Sequence, residues 1–63
     1  MGKRNNIVRY IVKDSEGKYI NSYSTLLGAN TAYKYAKECA RLSKGIVFSQ
    51  DTDEIERKMY DNS

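Results

Sequence analysis

The sequence predicts a small α+β domain: an antiparallel sheet in the order β-β-α-β, with a fourth short strand possible, and one helix packed on one face. Three observations carry that reading. The run Ile7-Val8-Arg9-Tyr10-Ile11-Val12 is dense in the β-branched and aromatic residues that suit a strand. Between Ala29 and Ser43 the apolar residues recur with the period of a helix. Directly after Gly45, Ile46-Val47-Phe48 returns to strand chemistry.

Taken in order, residues 1–5 are polar and expected to be loose. A first strand runs from Asn6 to Lys13. Asp14-Ser15-Glu16-Gly17 then supplies turn chemistry, with Gly17 free to take positive φ. Lys18 to Ser24 reads as the second strand of a hairpin. The passage Ser24-Thr25-Leu26-Leu27-Gly28-Ala29 leads into the helix, with Thr25 or Gly28 as its cap. Within the helix Ala29, Ala32, Tyr33, Ala36, Cys39 and Ala40 fall in an arc of about 120°. A face so narrow and small-sided predicts a helix lying close against a sheet. Basic residues gather toward its C-terminal end, where they complement the helix dipole, and Gly45 is the expected stop.

Ile46 to Ser49 forms the third strand, and Asp51-Thr52-Asp53 punctuates. Glu54 to Tyr60 reads two ways. Early acidic residues and the later Arg57-Lys58 favour a helical turn, whereas the short spacing favours a hairpin; a short strand is the expectation. Because one helix covers one face, the alternation of Val8, Tyr10 and Val12 against Ile7 and Ile11, and of Ile46 and Phe48 against Val47, predicts a second apolar face. Such a face left in water would be unusual and points to a partner.

Composition bounds the function. Sixty-three residues make one domain near the lower limit for an unaided core. Cys39 is the single cysteine and there is no histidine, so no internal disulfide, zinc or haem site is expected, and no cofactor. Self-association is then the expected extra stabiliser. No apolar run reaches membrane-spanning length. The start Met1-Gly2-Lys3-Arg4 lacks a signal-peptide core, and Asn6 stands where a myristoylation motif wants Ser or Thr. A cytoplasmic protein is the expectation, with Cys39 reduced. Charge is uneven: residues 1–44 hold nine Lys and Arg against three Asp and Glu, a balance of +6, and residues 45–63 hold two against five, a balance of −3.

The segment from Tyr23 to Tyr60 resembles a family of small bacterial and phage proteins. The resemblance lies in Tyr23-Ser24-Thr25, the alanines 29, 32, 36 and 40, Gly45-Ile46-Val47-Phe48, and the charged ending Glu54-Ile55-Glu56-Arg57. Asp53 departs from it, standing where that turn usually has Gly. The element order is also similar to that of the small phage T7 inhibitor of bacterial RNA polymerase, without shared functional residues. The resemblance implies a phage or prophage origin and a host protein as target.

Catalysis finds no support in the residues: there is no nucleophile elbow, no phosphate-cradling glycine loop and no metal cluster. Cys39 falls on the apolar helix face and reads as a core residue. The leading function is therefore a non-catalytic protein-binding module, either an inhibitor or modulator of a host protein or a self-associating accessory protein. Its candidate surface joins Tyr35 and Leu42 on the outer helix flank, Ile7 and Ile11 on the free sheet face, and the acidic residues Asp51, Asp53, Glu54 and Glu56. The alternative is a small nucleic-acid-binding protein using Lys34, Lys37, Arg41 and Lys44, spaced i, i+3, i+7, i+10 along the other flank, together with Lys3 and Arg4. Both sets also suit an ordinary solvated surface.

Overall fold

Both hairpin turns are set by one recurring chemistry. In the computed structural model, which describes residues 6–62, strand β1 (Ile7–Lys13) and strand β2 (Tyr19–Ser24) flank the turn that begins at Asp14. The Asp14 carboxylate accepts from the amides of Glu16 and Lys18 at 2.9 and 2.8 Å, and Gly17 closes the turn at φ 83°. The same design joins β3 (Ile46–Asp51) to β4 (Glu56–Asp61). There Asp51 accepts from Asp53 and Ile55 at 2.9 and 3.0 Å, and Glu54 takes the left-handed place at φ 65°. The glycine-seeking position of this turn is therefore that of Glu54, one residue beyond Asp53.

That placement predicts a gain. A residue with a Cβ held in the left-handed region costs about 1–2 kcal/mol, which glycine avoids at some entropic cost. Glu54→Gly is expected to raise stability by about 1 kcal/mol, a rise in Tm of about 4–8 °C for a chain of this size. A thermal melt that shows no rise would mean that the Glu54 side chain holds the turn in some other way.

The strands form one antiparallel sheet in the order β2-β1-β3-β4, and Glu56–Asp61 is a strand, as the hairpin spacing predicts. The helix α1 (Ala29–Ser43) crosses from the β2 edge to β3 and lies mainly over β1 and β2. Its N-cap is Gly28 at φ 110°, which offers no side-chain bond, while Ser24 caps the short 3₁₀ turn Thr25–Leu27 by accepting from the Leu26 amide at 3.1 Å. Thr25 caps neither; its hydroxyl donates to the Ile7 carbonyl at 2.9 Å and pins the turn to β1.

Ala32, Ala36 and Ala40 are fully buried, and with Tyr10, Val12 and Val47 they make the core. Small side chains let the helix axis approach the sheet, which explains a core built on three alanines. Tyr33 and Cys39 pack at its margins, but Ala29 is exposed at the first turn. Burial pushes the Tyr10 hydroxyl above its ordinary pKa, with the neighbouring Tyr33 adding to the shift.

The helix does not stop on Gly45. Lys44 takes the left-handed cap at φ 56°, and both its amide and that of Gly45 point to the Ala40 carbonyl. Gly45 serves the close approach to β1 instead: a Cβ there would lie 2.6 Å from the Lys13 carbonyl oxygen. Asn62 completes the corner, its side chain donating to Arg41 O at 3.3 Å and its amide to Gly45 O at 2.9 Å.

Candidate functional site

The face turned away from the helix is not the open apolar surface that simple alternation predicts. A register shift between the Ile7–Asp51 and Arg9–Gln50 pairs leaves Val8 as a bulge. Ile7 is thereby turned toward the helix-covered side, where it packs on the core. It shares no face with Ile11. Ile11 itself is only 7% exposed, because long side chains close over its side of the sheet. Lys13 crosses the Phe48 ring at 5.0 Å to pair with Glu56 at 2.7 Å, and Arg9 donates to Gln50 at 2.9 Å. Sequence alternation missed this lid because its members come from three strands. Ile7 and Ile11 therefore do not form one apolar face: Ile11 is buried under the lid, Ile7 is half-buried on the helix side, and Glu56 pairs with Lys13.

The acidic run is likewise divided. Asp51 is 8% exposed and spends its carboxylate on the turn amides described above. Asp53 and Glu54 stand exposed at the turn tip. Beside them a groove of about 430 Å³ is lined by Ile7, Ser49, Asp51, Ile55, Arg57 and Met59, on the part of the helix-side face that α1 leaves uncovered.

The helix presents two unlike flanks. On the β4 side, Lys37 sits over the rings of Tyr33 and Tyr60 at 4.9 and 5.6 Å, binding helix to strand by cation–π contact. Arg41 pairs with Glu38, and Lys44 occupies the left-handed cap. Lys34 is exposed. The basic stripe thus has structural uses at three of its four positions. Lys3 and Arg4, and the expectation that residues 1–5 are loose, lie outside the described residues.

On the β2 side the flank is apolar. Leu42 is 74% exposed and Tyr35 is 50% exposed, with the Tyr35 ring resting on Tyr23 of β2 at 6.1 Å between centroids. Burial, and then the adjacent Cys39 thiol, push the Tyr23 hydroxyl above its ordinary pKa. Cys39 is half-buried beside it. Tyr19 and Ile20 on β2, and Leu26 and Leu27 just past its end, are exposed as well. Among the described residues, six of the eight exposed large apolar residues lie on β2, the turn after it or the helix, and Ile55 and Met59 lie at the groove. Tyr35 and Leu42 are exposed on the outer helix flank, as the helical spacing predicts. Tyr19, Ile20, Leu26 and Leu27 are missed, because only the strand order shows that β2 is an edge.

Among the described residues there is no group of acidic, Cys or His side chains fit to hold a metal ion, and no helix is long and apolar enough to cross a membrane. No protein-family model matches the chain, and no curated protein or solved structure matches it either.

Proposed function

We propose that this chain is a non-catalytic protein-binding module that docks through the β2 edge and the adjoining Tyr35–Leu42 flank of the helix. The observation that carries the reading is that, among the described residues, six of the eight exposed large apolar side chains lie on β2, on the turn that follows it or on the helix that covers it. Scattered apolar residues are normal on any surface, whereas a contiguous apolar patch beside an edge strand is the usual form of a docking site. Aromatic and aliphatic anchors such as Tyr35 and Leu42 would supply the affinity, and charged residues at the rim would steer encounter. Exposed Glu54 at the far turn would meet a basic partner surface. The phage-like layout adds a host protein to the partner classes, and an inhibitor acting by occlusion fits a module with this surface. Nucleic acid is the weaker reading, since Lys37 and Arg41 already serve internal contacts.

The two readings separate by substitution and by salt. Retention of a bound protein should fall at least about tenfold on Tyr35→Ala with Leu42→Ala, as loss of two anchors implies. It should change little on Lys37→Glu with Arg41→Glu. Binding to a nucleic acid that falls steeply with salt and disappears with the charge reversals would overturn the protein-binding reading.

A further inference from the structure

We infer that the occupant of the β2 edge is a second copy of this chain, joined by antiparallel strand pairing about a two-fold axis that lies between the two Ser22 residues. This rests on the protein-binding reading and names its partner. The two sheet edges differ sharply in chemistry. β4, Glu-Arg-Lys-Met-Tyr-Asp, carries four charged residues of six, whereas β2, Tyr-Ile-Asn-Ser-Tyr-Ser, carries none and no proline. Charges and prolines are the ordinary means of blunting an edge, and an edge without them is a template for another strand.

Charge selects the same place for a second copy. Each chain has a net charge of +3, so two copies meet least repulsion where the contacting strands carry no charge of their own. At the uncharged strand no like charges oppose each other. Antiparallel pairing is also self-complementary, because a two-fold axis perpendicular to the sheet superposes β2 on itself and keeps each face on its own side. Directly opposed residues share a face, so one residue must face its own copy across the axis. Ser22 is near the strand centre, is small, and lies on the face away from the helix, opposite Ile11. With the axis there, Asn21 of one copy faces Tyr23 of the other. Both helices then lie on one face of an eight-stranded sheet, and the Tyr35–Leu42 flanks point toward each other above the junction.

The test uses the full chain in solution. Its mass, followed by sedimentation over a wide concentration range, is expected to rise from 7.2 kDa to twice that value and to be held or strengthened by salt. Ser22→Lys and Ser22→Glu each set two like charges face to face only in the dimer, so each alone should weaken association by at least about tenfold. Mixed in equal amounts, the two variants should pair again. Circular dichroism of each variant alone separates lost association from lost fold, and recovery in the mixture cannot come from unfolded chains. A wild-type chain that stays monomeric, yet retains a protein through Tyr35 and Leu42, overturns self-pairing and leaves the protein-binding reading standing. A dimer that survives both single variants overturns the β2 axis.

Discussion

Gly45→Ala is expected to unfold the domain or bring it to the edge of unfolding. The new Cβ would lie 2.6 Å from the Lys13 carbonyl oxygen, 3.2 Å from the Ser43 hydroxyl and 3.3 Å from a Val12 methyl. Ser43 can turn aside. Lys13 O belongs to the backbone of β1 and cannot move without disturbing its pairing with Ile46. Val12 is fully buried and has no room to retreat. The cost is steric rather than conformational, since Gly45 does not have positive φ. A forced shift of backbone and core together belongs with the largest single-residue effects, about 3 kcal/mol or more. For 63 residues the whole folding free energy is roughly 3–9 kcal/mol, so little would remain.

Gly17→Ala is the internal comparison. It too loses a glycine, at φ 83°, but the added methyl meets nothing within 4 Å. Its cost should be that of the left-handed backbone alone, about 1–2 kcal/mol. Urea titrations of both variants measure the difference directly. Equal midpoints would show that the approach of the α1–β3 corner to β1 is not tight.

The second large effect is expected from Ala36→Leu. Ala36 is the middle of the three buried alanines and faces a core whose largest fully buried side chains are Val12 and Val47. Ala36 has no exposed surface, so the longer side chain is accommodated by lifting the helix. Overpacking of this kind costs typically 1–3 kcal/mol. Lifting the helix would also loosen the Tyr10–Tyr33 contact at 5.0 Å and the Lys37 bridge to Tyr60, which adds to the loss. The expected result is a fall in Tm of more than about 10 °C, from the usual 4–8 °C per kcal/mol. Lys34→Leu adds a similar side chain on the exposed surface and should leave Tm nearly unchanged. If Ala36→Leu were equally silent, the helix would have to sit farther from the sheet than the structure shows.

Local chemistry made the elements legible. The alanine period of 29–43 predicts the helix because its buried stripe is a property of one segment. Asp14 and Gly17 predict their turn for the same reason. What stays hidden depends on residues far apart in the chain. The bulge at Val8 reverses the facing of Ile7, and nothing within Asn6–Lys13 announces it. The Lys13–Glu56 lid joins residues that become neighbours only through the order β2-β1-β3-β4. Asp51 was open to recognition as the counterpart of Asp14. Glu54, standing where Gly17 stands in the first turn, hides the parallel. Of the candidate surface, Tyr35 and Leu42 follow from helical geometry alone, whereas the exposed residues around β2 require knowing which strand is outermost.

The unequal edges of the sheet also govern how far any assembly can extend. A strand docked on β2 consumes the single uncharged edge of each molecule, and the far borders of the enlarged sheet are then both β4. Those borders carry Glu56, Arg57, Lys58 and Asp61, with Met59 and Tyr60 between them. A sheet with an inviting edge on each side would propagate toward a fibre. This one ends where its charges begin, so association through β2 would be self-limiting: two chains would close the unit and exclude a third.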